Sequence, residues 1–199
     1  MVDKPTAEIR WFFDQSLPFD EYFSAYPTVE QPVRHDFYLL GTDKRTGIKW
    51  REGNIEIKQQ QGDAETYERD RIAGRLEYWK KWSFPLADQA AFSPTSDWLK
   101  ISKGRRLLSL AYDPKTQTVS LTNDDQVVAD RCELEYTQLC VADRNYYTLG
   151  VEASGEVVHL RENLLRTMDY LVENSNLERL GLTQVNSSNY ARWIHQLFD

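Results

Sequence analysis

Two short runs joined by a tight turn, GIKWREGNIEIK at 47–58, constrain the fold most, because apolar and ionic side chains alternate through both. Side chains on a strand point to opposite faces with period two. Lys49 and Arg51 therefore share one side while Ile48 and Trp50 take the other, and past the turn Glu56 and Lys58 oppose Ile55 and Ile57. The same alternation runs through the first three-quarters of the chain. Strands are predicted at 7–13, 35–40, 46–51, 54–59, 75–84, 98–103, 106–112, 118–122, 127–141 and 146–153, joined by turn chemistry such as EGN, DPKTQ and a KG turn after residue 102. On the ionic sides stand Glu8 with Arg10, Arg75 with Glu77 and Lys81, Lys100 with Arg106, and Arg131 with Glu133 and Glu135; Glu152 ends a later strand.

The period changes in the last quarter. From 156 to 173, Val157, Leu160, Leu164, Leu165, Met168, Leu171 and Val172 fall on one helical face. A second helix is predicted to the end of the chain, capped at Ser187 or Ser188, with Tyr190, Trp193, Ile194, Leu197 and Phe198 as its apolar stripe. Residues 14–32, with Pro18, Pro27 and Pro32, read as an irregular, partly helical connection packed outside the sheet. The expected class is mainly β with flanking α: an antiparallel sheet that closes or curls into a barrel, helices packed outside it and at the C-terminus. A single domain over 1–199 is expected, with 14–32 an insertion and 183–199 a helical appendage.

A net charge of −7 excludes a duplex nucleic-acid binder, which needs a basic surface, so any anion site must be enclosed. No apolar run reaches the roughly 20 residues that span a bilayer, and the first residues lack the basic-then-apolar layout of a secretory signal; the expectation is a cytoplasmic protein without a membrane partner. Cys132 and Cys140 lie along one strand, too far apart for a disulfide, and read as reduced thiols. His35, His159 and His195 are too scattered for a zinc triad, and LGTDKRTG is not a phosphate-binding loop. Trp79, Trp82 and Phe84 read as core, with stacking on a base or sugar the alternative.

The ionic faces admit two readings. An antiparallel sheet commonly wets one face, and charges there need no function. If the helices and 14–32 cover the apolar side, the sheet instead curves with its ionic face inward and makes a polar-lined barrel suited to a multiply charged anion.

The chain resembles the CYTH family, the triphosphate tunnel proteins, from residue 7 to about 175. The resemblance rests on AEIRWFF near the start, DFYLL followed by GIKWREGNIEIK, the late pair CELEY and LGVEA, and the amphipathic helix after Glu152. It implies an eight-stranded tunnel in which basic residues grip a triphosphate or polyphosphate and carboxylates hold Mg²⁺ or Mn²⁺. Carried over by position, Lys49, Arg51 and Lys58 look like phosphate ligands, joined by Arg10, Lys81 and Arg106, while Arg34 and Tyr38 line one mouth. Glu8, Glu133 and Glu135 look like catalytic carboxylates, and with Glu152 they form the implied metal set. The family's opening signature is Glu-x-Glu-x-Lys; here Arg10 stands where the second Glu belongs and Phe12 where the Lys belongs.

Three functional classes follow. One is a metal-dependent hydrolase of a phosphorylated compound, and another a non-catalytic site for a small phosphorylated anion. The third is an interaction domain that meets a protein partner through the C-terminal helix.

Overall fold

The structure, a computed structural model, describes residues 4–86, 92–123 and 126–198. Among these residues nine strands form one antiparallel sheet: β1 (Lys4–Phe13), β2 (Val29–Leu39), β3 (Thr46–Arg51), β4 (Asn54–Arg69), β5 (Ile72–Pro85), β6 (Trp98–Asp113), β7 (Thr118–Leu121), β8 (Arg131–Val141) and β9 (Arg144–Ser154). The order is β2-β3-β4-β5-β1-β9-β8-β6, and β2 pairs again with β6, so eight strands close a barrel; β7 extends the far half of β6. Closure leaves these eight strands few unpaired edges.

Alternation decides which side each residue faces. The outer face carries Ile9, Trp11, Leu108, Leu110, Leu134 and Val151, all fully buried beneath helix α2 (Leu160–Asn174), which lays Leu160, Leu164, Met168 and Leu171 across them. Helix α1 (Phe19–Phe23) adds Phe19, stacked on Phe23 at 4.6 Å and on Tyr136 at 4.7 Å. At about 1.5–3 kcal/mol per buried large aliphatic or aromatic side chain, this outer layer supplies much of the folding drive.

A second cluster lies inside one end of the barrel. Phe12, Tyr38, Ile101, Leu139 and Val141 meet Trp193 and Ile194 of helix α3 (Tyr190–Gln196), with Phe12 and Trp193 stacked at 4.7 Å. The helix floors the barrel. Its approach is fixed where β1 and β5, paired across Lys4–Glu8, separate: Phe12 N–H donates to the Asn186 carbonyl (2.9 Å), Ser188 N–H to the Arg10 carbonyl (3.0 Å), and the Ser187 hydroxyl accepts from Arg75 N–H (2.8 Å). Ser187 is thus a bridge between strands, and Asn189 is the cap, its side chain accepting from Arg192 N–H at 2.8 Å.

Several boundaries differ from expectation. Strand β2 begins at Val29, inside the stretch read as a connection, because pairing with β6 overrides its weak pattern. Strand β4 continues to Arg69 through the polar run QQQGDAET, with a bulge between Gln61 and Glu65 and Gly62 at φ +67°. Strand β6 runs unbroken through Gly104, where a turn was expected. Strand β8 starts at Arg131 and α2 at Leu160, each four residues later than predicted. Both cysteines are free thiols. Among the described residues no helix is long and apolar enough to cross a membrane.

Candidate anion site

Above the floor lies a cavity of about 320 Å³ whose described lining includes eight basic side chains and five carboxylates. The protein as a whole carries −7, so positive charge has been gathered inward against the overall balance. Depth follows position along the strands. Lys103 and Arg10 at the bottom are 3% and 5% exposed, whereas Lys81 and Glu133 at the open mouth reach 32% and 40%.

The wall of β2, β3, β4, β5 and β6 is cationic. Asp36, wholly buried, faces Lys103 at 3.1 Å, Lys49 at 3.2 Å and Arg34 at 3.3 Å. Glu56 faces Arg51 at 2.5 Å, Lys49 at 3.2 Å and Lys81 at 3.3 Å. Five cations therefore lean on two carboxylates. Burial opposes the ionisation of Asp36, yet Lys103, Lys49 and Arg34 hold its carboxyl far below the usual range; Glu56 is lowered likewise by Lys49, Lys81 and Arg51. The unshared excess falls on Lys103. Burial pushes its ammonium down to about 7; Asp36 opposes that effect while Lys49 and Arg34 add to it. The Lys103 amine donates to the Tyr38 hydroxyl at 2.7 Å and stands 3.8 Å from the Tyr190 ring centroid.

The wall of β1, β9 and β8 carries Glu8, Glu152, Glu133 and Glu135, and Arg10 sits among them. Its Nε donates to Glu8 at 2.5 Å and its Nη1 to Glu135 at 3.0 Å. Lys58 takes the other Glu8 oxygen and approaches Glu152 at 3.4 Å. Against burial, Lys58 and Arg10 hold Glu8 down at about 2, and Arg10, Lys103 and Arg105 hold Glu135 at about 2. The guanidinium needs space, and Gly150 provides it: a β-carbon there would lie 2.5 Å from Arg10 Cζ. Any residue with a β-carbon therefore replaces this glycine only if Arg10 moves.

The implied divalent cation does not fit this arrangement. Among the described residues no three His, Cys, Asp or Glu side chains are grouped to hold a metal ion. Glu8 and Glu135 are spanned by a guanidinium, and a divalent ion about 4 Å from it would meet a gross repulsion of about 8 kcal/mol at an effective dielectric near 20.

Helix α3 completes the floor. Asn189, Tyr190 and Ala191 line the cavity, and Glu77 beneath them accepts from Asn189 at 3.1 Å and Arg192 at 3.0 Å. Burial raises the Tyr190 phenol well above its ordinary value, keeping it neutral, although Arg10 works the other way.

Of the residues singled out from the sequence, Glu8, Arg10, Arg34, Tyr38, Lys49, Arg51, Lys58, Lys81, Glu133, Glu135 and Glu152 all line this cavity, and Trp79 lines it too. Arg106 does not. It lies outside, paired with Asp20 and, at 3.2 Å, with Glu30. The expected turn at Gly104 is the reason: with β6 continuous, Lys103 and Arg105 take the inward phase and Arg106 the outward one. Lys103, Arg105, Asp36 and Glu56 were missed as site residues; period two from Arg34 and Lys58 marks the last two.

No family model matches the chain, and no curated protein does. Among solved structures it is similar to the S. pombe Pct1 RNA triphosphatase in complex with the Spt5 CTD, at 11% identity and a TM-score of 0.44, covering 90% of this chain and 86% of that one. A second structure of S. pombe Pct1 RNA triphosphatase aligns at 12% identity and a TM-score of 0.39, covering 89% of this chain and 79% of the other.

Proposed function

We propose that the cavity binds a small anion carrying several phosphate charges, a triphosphate or similar phosphorylated compound, and does not turn it over. The observation that carries this is the cationic wall, where five basic groups share Asp36 and Glu56. An enclosed excess of positive charge is costly unless an anion compensates it. Donors support the same reading: Arg105 Nε and Trp79 Nε1 are buried on lining residues without a hydrogen-bond partner, and a ligand rich in acceptor oxygens would supply one. Binding is favoured over hydrolysis because three of the four carboxylates that would hold a metal, Glu8, Glu135 and Glu152, are already paired with Arg10 or Lys58.

Tripolyphosphate should raise the melting temperature of the full chain, by the equivalent of about 2.7 kcal/mol at a hundredfold excess over Kd. Lys49→Ala should weaken it roughly 10- to 100-fold, the loss of one charge-assisted hydrogen bond of about 1.5–3 kcal/mol. The fold should survive, since Asp36 and Glu56 keep four cations between them. Arg106→Ala, outside the cavity, should leave affinity unchanged. No melting shift in the wild type, or release of inorganic phosphate with Mg²⁺ or Mn²⁺, would contradict the reading.

Binding should also depend on pH through Lys103. Its folded pKa of about 7 lies below the ~10.4 of an unfolded lysine, so the folded chain binds fewer protons in that window and its stability rises with pH across it. A bound anion favours the charged ammonium, so binding takes up a proton above about pH 7, and affinity should fall by up to about tenfold per pH unit. Calorimetric titrations at pH 6.5 and 8.5 check this, and Lys103→Arg, which stays charged, should flatten the slope.

A further inference from the structure

We infer that the site takes its anion free of any divalent cation, with Arg10 as the fixed positive charge at the carboxylate wall; the inference rests on the anion reading above and specifies the ligand's form. Three observations meet at Arg10. Its guanidinium spans Glu8 at 2.5 Å and Glu135 at 3.0 Å, so the two deepest carboxylates of that wall are neutralised by the protein itself. Its seat is built for it: β9 carries Gly150 directly beside Arg10 in the strand pairing, and any β-carbon there would strike the guanidinium at 2.5 Å. Its position is also locked from below, through the Thr148 hydroxyl at 3.5 Å and the Tyr190 ring at 5.2 Å, while its own backbone carbonyl accepts from Ser187 and Ser188.

A chelated polyphosphate would suit this cavity poorly. Its metal would bring two further positive charges into a cavity whose basic side chains already outnumber its carboxylates, and would find Glu8 shared by Arg10 and Lys58 and Glu135 shared by Arg10 and Arg105. The free anion offers more charge and more open oxygens to the same donors.

The test is a titration of the full chain with sodium tripolyphosphate, once in EDTA and once with Mg²⁺ in excess over the phosphate, read by calorimetry and melting temperature. Binding should persist in EDTA and weaken by roughly tenfold or more with Mg²⁺. Binding that requires Mg²⁺, or tightens with it, would overturn this inference and leave the anion reading standing. No binding in either buffer would remove both. Mn²⁺ titration followed by electron paramagnetic resonance gives an independent readout: the wild type should leave the free-ion signal undiminished, and uptake of Mn²⁺ by it would overturn the inference. Arg10→Glu, with Gly150 keeping the space open, should acquire Mn²⁺ binding. A folded Arg10→Glu chain that ignores Mn²⁺ would refute Arg10 as the group that keeps the ion out; if that variant does not fold, the two wild-type titrations decide alone.

Discussion

Asp36→Asn should lower stability by about 3–5 kcal/mol, because it removes the carboxylate that Arg34 and Lys103 pair with in a buried site and leaves Lys49 beside them with Glu56 alone. The substitution is nearly isosteric, so the loss is electrostatic and not one of packing. Two further signs distinguish it from a generic core defect. Raising the pH should return part of the loss, since Lys103, already down at about 7, can shed its proton and relieve the repulsion. Tripolyphosphate should stabilise the variant more than the wild type, because the anion supplies the charge that was removed. Denaturant midpoints at two pH values, with and without the anion, measure all three effects. A variant as stable as the wild type would mean that the cationic wall is wetter than its burial implies.

Trp193→Ala should cost a further large amount, about 3–5 kcal/mol, and for a different reason. The indole is 6% exposed, stacked on Phe12 at 4.7 Å and edge-on to Tyr146 at 5.4 Å, so truncation opens a void under the barrel. If the helix were instead an adhesive surface for another protein, its stripe would be exposed and the substitution nearly silent in urea unfolding. A cost below about 1 kcal/mol would support that alternative. With Ile194 and Ala191 also buried, most of the stripe has its partner within the same chain. Phe198, 62% exposed, remains outside it.

How far the sequence spoke for itself depended on the length of each alternating run. Lys49, Arg51 and Lys58 were legible because Ile48, Trp50, Ile55 and Ile57 fix the phase on either side of a short turn. The long run around Glu133 and Glu135 was legible for the same reason, and so was the face of α2 that covers the barrel. Phase was lost where a glycine mimicked a turn: one break assumed at Gly104 exchanged Arg106 for Arg105 and hid Lys103. It was lost again where polar residues paired with polar residues, as in the second half of β4, whose strand character comes from β5 and not from its own pattern. The sharing of one carboxylate among three cations is a tertiary property. Arg34, Lys49 and Lys103 come from three strands, and only barrel closure between β2 and β6 brings the third to Asp36.

The floor made by α3 has a consequence for geometry of access. A barrel open at both ends lets a long polymer slide through and be gripped anywhere along its length. A vessel with a bottom admits only what can back out by the way it entered, so a chain-like guest must present a terminus, and its interior segments stay in bulk water whatever their charge.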